Sequence, residues 1–318
     1  MLSNKIIVIL GQTSTGKSDF AVEIAKKIDG EIISADSRQV YKGMDLGTGK
    51  ITKKEMQKIP HHLLDIASPK KVFSVNDFQK LANKKIEEII KRNKVPIICG
   101  GTGFYIDSII NKTNFPEVAP NKKLRADLYP RSAIALFGYL EKLDPERSKT
   151  IDKNNKVRLI RAIEIAKTLG KTPLFNTKLD ATNSAPAEFV ASNKLSEFNF
   201  EVLKIGLTLP PELLKERIKT RLLFRIKKGM FKEIADLHKD GVSWKRMNSL
   251  GLEYRYISLY LQNKITKEEM IEKLSTEIWH FAKRQKTWFK RDLSTIWIDP
   301  RKSSEKINIF RKINGFLK

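Results

Sequence analysis

Residues 5–18 read KIIVILGQTSTGKS. The apolar, β-branched run Lys5 to Leu10 has no polar alternation, as expected for a strand covered on both faces. It passes directly into Gly11, Gln12, Thr13, Ser14, Thr15, Gly16, Lys17 and Ser18, which satisfy the pattern GxxxxGK[ST] at every specified position. From Lys17 to Ile28 the apolar residues Phe20, Ala21, Ile24, Ala25 and Ile28 recur at helical spacing, and Asp29-Gly30 supplies a stop. Strand, glycine-rich loop and helix in this order form a phosphate cradle. Backbone N–H groups converge on phosphate oxygens, the helix N-terminus adds attraction, Lys17 neutralises charge, and the Ser18 hydroxyl can ligate Mg²⁺. The plainer alternative is a turn that merely joins a strand to a helix. The cradle by itself does not choose between nucleotide kinases, NTPases and transferases, because pyrophosphate recognition leaves the adjacent chemistry open.

C-terminal to this stretch, Glu31–Asp36 reads as a second strand, Val75–Lys91 as an amphipathic helix and Val95–Gly100 as a further buried strand. A strand-like run, Val202–Leu209, meets the Pro210-Pro211 break and gives way to one long helical pattern over Glu212–His238. Lys267–Arg291 is again helical, and Ser294–Asp299 is a late strand. The stretch between differs in being rich in Asn, Lys, Pro and Ser, with helical pieces at Ser132–Leu143 and Lys156–Leu169 and a polar loop over Asp180–Lys194. The expected fold class is α/β: a P-loop nucleoside-triphosphate-hydrolase-like parallel sheet core carrying an inserted helical domain. The core is expected over residues 1–110 and 201–318, and the insertion over 111–200.

The 318 residues can bury a substantial core without staples. Cys99 is the one cysteine, which rules out an intramolecular disulfide and a Cys-rich zinc site and fits a reducing cytoplasm. No apolar stretch approaches the length of a membrane span, and the N-terminus lacks a cleavage-site pattern. The net charge of +25 calls for a polyanionic partner, unless a lysine-rich proteome has simply decorated the surface.

Further blocks follow the phosphate loop: Asp36-Ser37-Arg38-Gln39-Val40-Tyr41, Gly47-Thr48-Gly49-Lys50, Pro60-His61-His62, Gly100-Gly101-Thr102-Gly103, and Ala282-Lys283-Arg284-Gln285 before Thr287-Trp288-Phe289. In this order they resemble the tRNA dimethylallyltransferases, also called tRNA isopentenyltransferases (IPP transferase family), over about Lys5 to Asp299. The resemblance implies transfer of a dimethylallyl group from dimethylallyl diphosphate to N6 of adenosine 37 in the tRNA anticodon loop, with Mg²⁺ and release of diphosphate. It implies that Gly11 to Ser18 bind the diphosphate, with Thr13 and Thr15 adding hydroxyl donors and Ser18 holding the metal. Asp36 would accept the proton of the attacking amine, although as a bare residue it reads equally as a Mg²⁺ ligand or a helix cap.

Thr102 would touch the base or its phosphate, a plain turn being the alternative. Arg221 would reach the diphosphate, with a solvated helix face as its alternative. Ser37, Arg38 and Gln39 would recognise the flipped-out base and its neighbours. In the insertion, Val157, Arg158, Leu159, Ile160 and Arg161 match the family's RNA-contacting stretch, and Arg125 joins them by position. Lys283, Arg284, Lys286, Trp288, Lys290 and Arg291 form a basic, aromatic-interleaved helix, while at least one of Trp279 and Trp288 is expected in the core.

Two departures from the family pattern stand out: Arg225 where a methionine is expected, and Gly251-Leu252-Glu253-Tyr254 in place of the commoner glycine-tyrosine form. His61 and His62 read as structural, since adjacent side chains point different ways. A small-molecule or nucleotide kinase of the same fold and an NTP-gated RNA-binding switch remain as rivals, and a cytoplasmic monomer is expected.

Overall fold

In the computed structural model of the chain, which describes residues 4–111, 113, 115–172 and 200–318, the apolar run becomes strand β1 (Lys5–Gly11). Its side chains alternate. Ile6, Val8 and Leu10 enter one helical layer, while Ile7 and Ile9 enter the other, so a run without polar alternation is what a strand buried on both faces requires. Helix α1 (Lys17–Ile28) follows the glycine loop, then β2 (Gly30–Ser34), the short α2 (Lys53–Met56) and a two-residue strand β3 (His61–His62). Helix α3 (Val75–Lys91), strand β4 (Val95–Gly100) and helix α4 (Gly103–Ile110) complete this part.

Four helices follow in the middle of the chain: α5 (Lys122–Leu128), α6 (Ala133–Leu143), α7 (Pro145–Ser148) and α8 (Lys156–Leu169). The sheet resumes with β5 (Glu201–Leu207). Helices α9 (Pro211–Lys227), α10 (Met230–Lys239), α11 (Trp244–Leu250), α12 (Leu252–Leu261) and α13 (Lys267–Phe289) come next. Strand β6 (Ile296–Ile298) and α14 (Ser303–Leu317) close the chain. The helix expected over Glu212–His238 is therefore two. Gly229, at φ 103, takes a left-handed conformation that costs glycine little, and α10 starts after it. The expected polar loop at Asp180–Lys194 lies outside the described residues.

The six strands are parallel and ordered β3-β2-β4-β1-β5-β6. All their C-terminal ends therefore lie on one edge, where open α/β sheets gather ligands. One face packs against α3, α4 and the helices α9 to α13, the other against α1 and α14.

The chain divides into two compact units, Met1–Ile110 with Asn193–Lys318, and Asn111–Ser192. The second has its own core, in which Leu128, Leu136, Leu140, Leu159 and Ile163 are at most 1% exposed. No helix among the described residues is long and apolar enough to cross a membrane.

Candidate active site

Three neighbouring strands deliver three loops to one edge. After β1 comes the phosphate loop, after β2 the segment beginning at Asp36, and after β4 the turn Gly101-Thr102. In the phosphate loop Ser14 has φ 62 and Gly16 φ 89, so successive amides turn inward where a regular strand or helix would alternate or stack them. The amides of Ser14, Thr15 and Gly16 make no hydrogen bond among the described residues. Those of Lys17 and Ser18 open α1, where N–H groups lack an intrahelical acceptor. Five amides in succession are thus left without a protein acceptor, an arrangement suited to an anion.

Some side chains of the loop are spent on holding it. The Thr15 hydroxyl, fully buried, donates to the Gln12 carbonyl at 2.8 Å. Gln12, 3% exposed, turns its amide to the Ala282 carbonyl on α13 at 3.1 Å. The Thr13 amide donates to Gln285 Oε1 at 2.8 Å. The structure thereby corrects the expectation of a Thr15 hydroxyl donor for the ligand, since its proton is committed inside the loop, and it turns the Gln12 carboxamide toward α13. The Lys17 ammonium donates to the Gln12 carbonyl at 2.6 Å. Its pKa is lowered to about 8, first by burial and then by the Arg221 guanidinium, against the opposing pull of Asp36. Cys99 lies beneath the loop, and burial pushes its thiol up to about 12, so it is inert as a nucleophile.

Asp36 is half-buried, and its Oδ1 accepts the Arg38 amide at 2.8 Å, a local Asx turn that fixes the carboxylate and leaves it further acceptor capacity. The Thr102 hydroxyl accepts the Ser37 amide at 3.0 Å, and the Thr102 amide donates to Ala35 at 3.2 Å. The Asp36 and Thr102 segments are thus locked together. Gln39 accepts from Ser34 at 3.3 Å, and Ser18, Ser34 and Gln39 line one small recess. The Arg38 guanidinium makes no hydrogen bond or ion pair among the described residues. Arg221 donates to the Gly49 carbonyl at 3.0 Å. Burial lowers its pKa, and its charge is felt at Lys17 and Asp36. The structure therefore brings Lys17, Ser18, Asp36, Thr102 and Arg221 to one edge.

Sequence reasoning missed the scaffold of this edge. The Glu233 carboxylate accepts the amides of Asp45, Leu46 and Gly47 at 3.0, 2.6 and 2.9 Å, and the Tyr254 hydroxyl at 2.8 Å. Arg225 donates to the carbonyls of Leu46 and Gly47 and pairs with Glu253 at 2.9 Å. The two departures from the family pattern are thus partners in one ion pair. Gln285 on α13 was quoted in its sequence block without a role. The signal for these partners is spatial, since they lie at least 178 residues from the loops they hold, 272 in the case of Gln285 and Thr13.

His62 Nε2–H donates to Glu31 at 2.6 Å while Arg92 donates to the same carboxylate, and His61 Nδ1–H donates to the Ile59 carbonyl at 2.8 Å, so both rings are tied into the fold. Trp279 and Trp288 both pack against the main core.

In the second unit, Val157 is 74% exposed and Arg158 lies beside it at the start of α8. Leu159 and Ile160 are 0% and 5% exposed. They are corrected from RNA-facing positions to core positions, because helical spacing turns them into the apolar cluster while Val157 and Arg158 face out. Arg125 and Arg161 both pair with Glu164, at 2.6 and 3.1 Å. Burial would raise the Glu164 carboxyl, but Arg125, the Asn121 amide and Arg161 together hold it below its usual range.

The family profile described as IPP transferase matches residues 39–292. The chain is similar to tRNA dimethylallyltransferase 2 of Treponema denticola, at 46% identity over 286 residues that make up 90% of this chain and 91% of that one. Among solved structures it is similar to the full-length tRNA isopentenylpyrophosphate transferase of Bacillus halodurans, with a TM-score of 0.71 and 34% identity over 99% of this chain and 97% of that one. A eukaryotic dimethylallyltransferase acting on tRNA shares the fold, with a TM-score of 0.76 at 24% identity over 98% of this chain and 78% of that one.

Proposed function

The chain belongs to the IPP transferase family, and on that premise we propose its chemistry: it transfers the dimethylallyl group of dimethylallyl diphosphate to N6 of adenosine 37 in tRNA, releasing diphosphate. The observation that carries this reading is the convergence of the five-amide cradle, Asp36 and Thr102 at the ends of β1, β2 and β4. Allylic C–O cleavage builds positive charge on carbon and negative charge on the departing diphosphate. The amides of Ser14 to Ser18, with Lys17 and Arg221, meet that negative charge already aligned, so they favour the transition state over the ground state. Asp36 accepts a proton from the N6 amine as nitrogen attacks, which offsets the poor nucleophilicity of an exocyclic adenine amine. Thr102, tied to Ser37, steadies the segment that presents this carboxylate, and Arg38 and Gln39 flank the base.

Mg²⁺ fits the same place. Ser18 is exposed at the start of α1, and no cluster of three or more His, Cys, Asp or Glu forms a protein cage among the described residues. A magnesium ion would be held by diphosphate oxygens together with Ser18, the usual arrangement for an ion that keeps substrate ligands, and would neutralise the leaving group.

The RNA contacted is the anticodon loop, with the target base flipped out of its stack. Val157 and Arg158, exposed on the second unit, and, separately, Lys283 and Arg284, exposed on α13 of the first, are each available to RNA. The protein acts as a cytoplasmic monomer.

Incubation with unmodified tRNA, labelled dimethylallyl diphosphate and Mg²⁺ is expected to label the RNA without consuming ATP. Asp36→Asn is expected to lower kcat by about 10²- to 10⁴-fold with tRNA affinity retained. ATP consumption with unlabelled RNA would instead mark the chain as a kinase or NTPase.

A further inference from the structure

An allyl carbon carried by a diphosphate in one loop reaches an amine presented by another only if the two loops stand at a set separation. A misplacement of about 1 Å costs about 100-fold in rate. In this chain the two loops are bridged by one side chain. Gln285 lies on α13, on the same face as Ala282 and Phe289, and is 7% exposed. Its Oε1 accepts the Thr13 amide of the phosphate loop at 2.8 Å, and its Nε2 donates to the Gly101 carbonyl at 2.9 Å. The next residue, Thr102, receives the Ser37 amide, and Ser37 follows Asp36. A continuous path of hydrogen bonds and adjoining backbone links therefore runs from the diphosphate cradle through Gln285 and the Gly101-Thr102 turn to the residue that carries the carboxylate.

We propose that Gln285 is the positioning residue that sets the separation between the diphosphate cradle and the Asp36–Thr102 segment, so that the allyl carbon and the acceptor amine meet in reacting geometry. The inference rests on the reaction proposed above. Three features single out this residue. A neutral carboxamide offers one acceptor and one donor at fixed spacing, which the Thr13 amide and the Gly101 carbonyl require. A Cβ at residue 101 would stand 2.3 Å from Gln285 Nε2, so the turn is shaped to the amide. The Thr13 amide is given to Gln285, whereas the amides of Ser14, Thr15 and Gly16 bond no group among the described residues and stay available to the ligand. Exposed Lys283 and Arg284 lie on the other face of α13, so this role is separate from any contact with RNA.

The test is the pH profile of Gln285→Glu. A protonated glutamic acid reproduces both bonds, its hydroxyl donating to Gly101 and its carbonyl oxygen accepting from Thr13. The ionised form has no donor and repels the Gly101 carbonyl. Relative to the wild-type protein at the same pH, kcat for label transfer from dimethylallyl diphosphate to unmodified tRNA is expected to fall about 100-fold at pH 8.5 and to recover to within about threefold at pH 5.5. KM for both substrates should stay within about threefold throughout. Gln285→Met, of similar volume but with neither bond, is expected to show the kcat deficit at every pH. A merely structural role would not produce the acid rescue.

A pH-independent deficit in Gln285→Glu, or no deficit, overturns the positioning role. A change confined to KM does so too. If Gln285→Met fails to fold, the profile of Gln285→Glu still decides. Absence of label transfer by the wild-type protein would overturn the assigned reaction and this role with it, whereas wild-type transfer with a flat Gln285→Glu profile removes this role alone.

Discussion

Lys17 carries the clearest electrostatic signature of any single residue in the site. Burial and the neighbouring Arg221 bring its pKa down to about 8, so near that pH the ammonium is only partly charged in the free protein. A diphosphate binds the charged form better and raises the pKa again. The sign follows: affinity is full below pH 8 and falls as pH rises through it, by about tenfold per unit. Calorimetry of dimethylallyl diphosphate binding without tRNA, in two buffers of different ionisation enthalpy, is expected to show net proton uptake around pH 8 to 9. Lys17→Arg should bind without that uptake, since a guanidinium stays charged throughout. Equal affinity and no uptake across this range would refute the assignment. Asp107, on α4, shows the opposite case. Burial pushes its carboxyl up to about 6 against the lowering effect of the Trp288 N–H, which it accepts at 2.8 Å. A carboxyl raised above its ordinary 3.8 stabilises the fold fully below that value, and the contribution disappears as pH rises through 6. Asp107→Asn, which keeps the acceptor for Trp288, is expected to be more stable than wild type by about 1–3 kcal/mol at pH 8 and equal to it at pH 4 in denaturant titrations.

Between elements, the main device is the clamp that α9, α10 and α12 place on the loop at Asp45–Gly49. Glu233 takes its amides and Arg225 its carbonyls, and Glu253 neutralises Arg225, whose side chain is 10% exposed against 18% for Glu253. Removing one member of such a pair strands a charge. Glu253→Ala is expected to cost about 3 kcal/mol in a chemical denaturation curve, and pairing it with Arg225→Met should recover most of that. If the two losses simply add, the pair is not coupled. This clamp also marks the boundary of what could be read from the chain. Elements whose signal is local were legible to within a few residues. The run Lys5–Leu10 became β1, Val75–Lys91 became α3 with its Ser74 cap, and Lys156–Leu169 became α8. The phosphate loop, Asp36 and Thr102 were legible for the same reason, as each sits in a short block after a strand. Strand β3 was not, because two residues carry no periodicity and are held by pairing with β2. Leu159 and Ile160 were misplaced because a linear motif does not say which side of a helix faces out. Gln285, Glu233 and Arg225 act on backbone atoms far away in sequence, and no local pattern specifies a side chain that reaches another element's carbonyl or amide.

At the scale of the whole molecule, the charge of +25 is explained by RNA only if the cations that meet phosphate can be told from those used inside the fold. Some cations are used inside the fold: Arg125 and Arg161 pair with Glu164, Arg92 with Glu31, Arg225 with Glu253, and Lys50 with Asp45 and Asp65. Arg158, Lys283 and Arg284 are exposed and make no ion pair among the described residues. Each cation that displaces a counterion from phosphate adds about 0.7 to 0.9 to the slope of log affinity against log salt, whereas a cation already paired in the protein adds little. The affinity for tRNA is therefore expected to fall steeply between about 50 and 200 mM salt, by a factor of 10 or more. Arg158→Ala should weaken binding at low salt and reduce the slope by about one, with stability unchanged. Arg161→Ala should instead lower stability by about 1–3 kcal/mol, because it leaves part of the buried Glu164 carboxylate unsatisfied, and should leave the slope nearly as it was. Filter binding over a salt series, with a denaturation curve for each variant, separates the two. Equal slopes for wild type and Arg158→Ala would mean that the second unit meets the RNA through other cations, and a slope near zero for the wild-type protein would detach its charge from nucleic acid altogether.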